Sequence, residues 1–149
     1  MSNTCITRIE NYWKIKTKNA NELFNQGNYN EALTYYTDAL YRAEVLTKNT
    51  ENCDNVGIPF VQVYMISCNN IANTYKELGK PKQAIKILKN SVYYLLYLAE
   101  NNQNSIPRIQ SELRRATLNY FNFTKEIQYE NNEDYLILVL KENLLKNEA

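Results

Sequence analysis

Histidine is absent from the sequence. That removes at once the commonest general base, the commonest metal ligand and the usual switch near neutral pH. Glycine and proline are scarce, three of each in 149 residues. So few chain reversals argue against sandwiches, barrels and any Gly-rich phosphate loop. Cysteine is equally sparse, and Cys5, Cys53 and Cys68 show no CxxC spacing. Neither a zinc site nor a disulfide framework is expected, only free thiols in a reducing cytosol. Neither sign of charge is in excess, with 17 Lys plus Arg against 16 Asp plus Glu. No nucleic-acid partner is expected, because that would need a basic face. Long apolar runs are missing too: the best, Tyr135 to Leu140, is stopped by Lys141, well short of the ~20 residues of a membrane helix. The first residues, Met1 to Arg8, lack a basic segment followed by an apolar one, so no signal peptide is expected. These absences predict a cytoplasmic protein with no membrane association, cofactor or metal.

What is present is helical period. Hydrophobic residues make up 44% of the chain, enough for one core at this length. A first helix is expected from about Thr4 to Gln26, closed by Gly27. Asn28 then caps a second through its side chain, with Glu31 in capping-box position. Ala32, Tyr36, Ala39, Ala43 and Leu46 share one face of it. Asn49 to Gly57 is polar and aperiodic and reads as the longest loop. A third helix begins near Ile58 with Pro59 in its first turn, lined by Val61, Met65, Cys68, Ala72 and Tyr75, and ends at Gly79. Pro81 opens a fourth, with Ala84, Leu88, Val92, Leu95 and Ala99 inward. Ser105 caps a fifth, with Pro107 in its first turn and Ile109, Leu113, Ala116, Tyr120 and Ile127 inward. A sixth, Leu-rich, runs from Glu133 to about Lys146. The expected class is all-α, six helices in antiparallel pairs.

The chain also matches itself at an offset of 52 residues: Ala20 falls on Ala72, Asn21 on Asn73, Gly27 on Gly79, Ala32 on Ala84, Leu33 on Ile85 and Leu40 on Val92. Small residues recur where helices approach closely, and Gly where the chain reverses. This is a duplicated helix–turn–helix unit. The residues Ala20, Gly27, Tyr29, Ala32, Tyr36, Ala39 and Leu40 resemble the tetratricopeptide repeat signature. Ala72, Tyr75, Gly79, Ala84 and Leu88 follow it in a second unit, with Ser91 where Ala is usual. The third pair of helices keeps only Ala116. The offset exceeds the roughly 34 residues usual for this repeat, and the whole resembles small bacterial tetratricopeptide-like proteins with elongated helices. The resemblance implies one domain over residues 1–149, a right-handed stack of three helix pairs. Its units would span about 4–51, 58–103 and, as a degenerate repeat or capping hairpin, 105–147.

It also implies a noncatalytic module that binds a peptide or protein segment on its concave face, lined by first helices. Rotating away from Ala20 and Leu23 brings out Lys14, Thr17, Lys18, Asn21 and Asn25. The second unit offers Ile66, Asn69, Asn70, Asn73 and Lys76, and the third Gln110, Arg114 and Thr117. Cations bind carboxylates, and Asn amides hold an extended backbone through paired bonds. The expected site is therefore Lys14, Lys18, Asn21, Asn70, Asn73, Gln110 and Arg114. Its partner would be a segment with an acidic side chain or a C-terminal carboxylate. Chaperone-binding members of the family use a comparable set of Lys, Asn and Arg, although Thr17 stands where a Lys is usual.

No catalytic residue is expected, since the carboxylates fall mainly at caps, turns and outer faces, where helices favour them. Three successive directions in one helix are taken by Tyr93, Tyr94 and Tyr97, and not all can be core; some fill helix gaps or meet a partner. The last helix has apolar groups on more than one face. Either it inserts into the core, or Leu136, Val139, Leu140 and Leu144 form a self-association patch that makes a homodimer. The alternative to an adaptor is a secretion-type chaperone that holds a client and dimerises.

Overall fold

The computed structural model describes residues 1–101 and 106–126. Among them are six helices and no strand: α1 (Asn3–Asn25), α2 (Tyr29–Thr47), α3 (Thr50–Val56), α4 (Phe60–Glu77), α5 (Pro81–Asn101) and α6 (Ile106–Glu126). The class is all-α, as the periodicity predicts. By its internal contacts the chain divides into two compact units, Met1–Ala84 and Ile85–Ala149. The last expected helix, Glu133 to Lys146, lies outside the described residues, as do Ser105 and Ile127.

In the first unit α1 packs along α2, α2 packs along α4, and α3 sits against α1 and α2. Ser2 starts α1 by accepting the Cys5 N–H at 3.1 Å, satisfying one of the orphan donors of the first turn. Ile6, Trp13 and Ala20 form the buried stripe of α1, one residue every two turns. On α2 the predicted face is buried throughout: Ala32, Tyr36, Ala39, Ala43 and Leu46. Ten residues of α4 are buried, too many for one stripe, so more than one of its faces is covered. Tyr75, expected inward, is only half-buried.

The reversals share one device. After α1, Asn28 N–H bonds Leu23 C=O at 2.8 Å and Gly27 N–H bonds Phe24 C=O at 3.0 Å. After α4, Lys80 N–H bonds Tyr75 C=O at 2.9 Å and Gly79 N–H bonds Lys76 C=O at 3.1 Å. This is the Schellman closure, which needs a left-handed residue. Gly27 at φ 80° and Gly79 at φ 69° supply it without the Cβ penalty other residues would meet.

Two local expectations are corrected. Asn49 to Gly57 is not a loop, because Thr50–Val56 forms α3, closed by Gly57 in the left-handed region. Cys53, fully buried, holds it down, its thiol against Leu46 C=O at 3.4 Å. From the other side the Asn52 amide donates to Met1 C=O and to Asn3 Oδ1, each at 3.0 Å. A seven-residue helix with one buried residue shows no period in its sequence. Asn28 is the second correction. It stands at the N-cap of α2, but its side chain makes no capping bond and donates instead to Gln26 Oε1 at 3.3 Å. The residue already completes the Schellman closure of α1, and its ψ of 65° turns the side chain away from the first turn of α2. Pro59 precedes α4 as its N-cap residue, one position earlier than expected.

In the second unit, α5 buries Ile85, Leu88, Ser91, Val92, Leu95 and Leu98. Ala99, expected inward, is half-buried. On α6, Ile109, Leu113, Ala116 and Tyr120 are buried as predicted. The 52-residue offset now carries burial as well as identity. The buried pairs include Ile6 and Ile58, Trp13 and Met65, Ala20 and Ala72, Tyr36 and Leu88, and Leu46 and Leu98. Ser91, which departs from the repeat signature, is as buried as its counterpart Ala39, at 1% exposure each. Its hydroxyl is satisfied by Leu88 C=O at 2.6 Å, so it serves as the small residue the position requires.

Candidate functional site: an asparagine-lined concavity

The site begins with the contact between α1 and α4. Trp13 Nε1–H donates to Ser67 Oγ at 2.7 Å, a buried bond between the two helices. Beyond Trp13 on α1 and beyond Ser67 on α4, both helices present asparagines. Asn21 and Asn25 are four apart on α1, and Asn70 and Asn73 three apart on α4. Each pair therefore shares one helix face. With Phe24 of α1 and Tyr36 of α2 they enclose an open concavity of about 290 Å³.

Asn21, Asn25 and Asn73 are exposed, Asn70 and Phe24 half-buried, and Tyr36 only 3% exposed. Phe24 and Tyr29 meet edge to face, with ring centroids 5.0 Å apart and planes at 71°. The phenolic O–H of Tyr36 donates to Asn21 Oδ1. Burial raises the Tyr36 pKa above its ordinary value, so the phenol keeps its proton across the physiological range. No residue lining the concavity carries a charge.

Of the residues expected in a site, the structure brings Asn21, Asn70 and Asn73 together here. It does not bring in the lysines. Lys14 and Lys18 are exposed on the same stripe of α1, toward its N-terminus, and Lys14 pairs with Glu10 at 3.5 Å. Gln110 is exposed and Arg114 half-buried on α6, in the second unit. Leu136, Val139, Leu140 and Leu144 lie outside the described residues. Reading the sequence missed Phe24 and Tyr36 as lining groups. Tyr36 keeps the core period of α2, but a buried phenol needs a polar partner, and that need is the signal in the sequence.

A second surface of the first unit is built differently. Along the other seam of α1 and α2, Asp38 pairs with Arg42 and with Lys16, the latter at 3.3 Å. The Arg42 guanidinium lies 5.5 Å from the Tyr12 ring centroid, and the Lys16 ammonium 5.0 Å from that of Tyr35. Here the charges are engaged with each other and with rings. In the second unit Tyr93 and Tyr97 are exposed, and Tyr97 stacks on the half-buried Tyr94 with centroids 6.0 Å apart.

Among the described residues no helix is long and apolar enough to cross a membrane, and no three His, Cys, Asp or Glu side chains gather in metal-binding proximity. No curated protein and no solved structure matches the chain. Over residues 11–140, which include all four asparagines of the concavity, the chain matches a family described as protein of unknown function (DUF2753), and it belongs to that family.

Proposed function

We propose that this chain is a noncatalytic interaction module that binds a peptide or protein segment in the asparagine-lined concavity of its first unit. The observation that carries the reading is the convergence of Asn21, Asn25, Asn70 and Asn73 on one open space floored by Phe24 and Tyr36. Asn offers a donor pair and an acceptor on one short arm, which matches the alternating N–H and C=O groups of an extended chain. Aromatic rings beneath supply apolar area. The tetratricopeptide-like architecture is part of the same proposal. It is supported by the matching burial at an offset of 52 residues and by the Gly27 and Gly79 closures, which are what a stack of helix hairpins needs.

The test is selection of a random decapeptide display library on the full chain, followed by affinity measurements with the double variant Asn70→Ala, Asn73→Ala. Selected peptides should lose at least about tenfold in affinity, the worth of two modest hydrogen bonds. Peptides that bind the variant as well as the parent, or a selection that yields no binder, would contradict the proposal.

A further inference from the structure

The concavity has a chemical character that the sequence-based expectation of an acidic ligand did not contain. Its polar lining is four carboxamides and one phenol. Along α1 and α4, the ionisable residues within one turn of those amides are of both signs: Lys18 and Lys76, Glu22 and Glu77. No cation stands in the lining to receive a carboxylate. Each carboxamide also presents a carbonyl oxygen, and a carboxylate has no hydrogen to give it. A ligand carrying both a donor and an acceptor satisfies both halves of such a lining. A carboxylate leaves its oxygens facing those carbonyl oxygens and forfeits its own hydration.

One amide is fixed. The Tyr36 hydroxyl engages Asn21 Oδ1, which leaves the NH2 as the group Asn21 can direct at a ligand. The offset partner of Asn21 is Asn73, and that of Tyr36 is Leu88, which has no hydroxyl. The second repeat therefore cannot clamp its asparagine in this way. The clamp costs little to hold, because the phenol is set in the core of α2 and has two torsions to lose.

We infer that the concavity is a subsite for an uncharged amide group of the bound segment, preferred over a carboxylate. Tyr36 is the positioning residue that turns the Asn21 NH2 toward the ligand oxygen. The carbonyl oxygens of Asn25, Asn70 and Asn73 set the preference by accepting from the ligand N–H. This rests on the reading of the concavity as a peptide site and adds the chemistry that it selects.

The test titrates the 15N-labelled full chain with N-methylacetamide, acetamide and sodium acetate at matched ionic strength, following the side-chain NH2 signals of Asn21, Asn25, Asn70 and Asn73. N-methylacetamide represents a main-chain peptide unit and acetamide an Asn or Gln side chain, so the stronger of the two identifies the source of the amide. At least one amide should shift these signals with an apparent affinity about fivefold or more above acetate, the scale of one hydrogen bond. Tyr36→Phe keeps the ring but frees the Asn21 amide, and should weaken amide and acetate binding alike. Asn70→Ala with Asn73→Ala removes two carbonyl acceptors and should bring the amide and acetate affinities within about twofold of one another. Acetate binding as strongly as the better of the two amides would overturn the inference, and so would an Asn70→Ala, Asn73→Ala chain that keeps the full preference or a Tyr36→Phe chain that binds that amide as tightly as the parent. Silence from all three probes would overturn it too. The peptide-site reading is judged separately, by whether library-selected peptides still depend on Asn70 and Asn73.

Discussion

Trp13 and Ser67, 54 residues apart in sequence, are joined by a 2.7 Å hydrogen bond inside the first unit. Ser67 is bonded in turn to Val63 C=O at 3.1 Å, so its hydroxyl hydrogen goes to its own helix and its lone pair to the indole. That pairing sets the register between α1 and α4, and with it the meeting of their asparagines further along both helices.

Ser67→Ala should therefore strand a buried indole N–H and destabilise the protein by about 1–3 kcal/mol. Urea unfolding would show a lower midpoint with an unchanged slope. An unshifted midpoint would mean that the bond does not hold the helices in register.

Gly27→Ala and Gly79→Ala test the reversals. A Cβ at either position meets nothing within 4 Å, so any loss is backbone strain alone, about 1–2 kcal/mol per site. Asn, which tolerates the left-handed region, should cost less than Ala at both. The same unfolding measurement checks the order; Ala and Asn behaving alike would argue against left-handed closures.

The thiols should separate by environment. Cys5 is exposed, and a hydrogen bond from Ser2 is the main cause lowering its pKa. Burial pushes Cys53 up to about 11 and Cys68 up to about 12, from an ordinary value of 9.0. At pH 8 a thiol reagent should modify one cysteine in the native protein and all three after unfolding. The linkage follows from the same shifts. Below pH 9 these two thiols are protonated in both states and their contribution to stability is intact. As pH rises from 9 toward 11 and 12, the unfolded chain loses those protons first, and stability falls. Rapid native modification of more than one thiol, or stability that rises over that window, would contradict the burial assigned here.

How much of this could be read in advance depended on length and repetition. The α2 stripe from Ala32 to Leu46 was legible because five small or apolar residues kept one helical period over four turns. The repeat was legible because glycine, the residue best suited to a left-handed position, recurs at Gly27 and Gly79. The short helix α3 was not, since it depends on Cys53 reaching Leu46 and Asn52 reaching the N-terminus, contacts that no local pattern encodes. The candidate site was legible in part. Asn21, Asn70 and Asn73 announced themselves by facing away from the core stripe. Phe24 and Tyr36 followed apolar periods, and only the tertiary structure turns their edges into a floor.

The most direct test of the central claim maps where a library-selected peptide binds, by chemical-shift perturbation on the 15N-labelled full chain. The account predicts the largest changes at the side-chain amides of Asn21, Asn25, Asn70 and Asn73, with smaller ones along α1 toward Lys18. Changes confined to Tyr12, Ile15 and Tyr41, or to Tyr93 and Tyr97, which are exposed elsewhere, would contradict it and move the binding surface off the concavity.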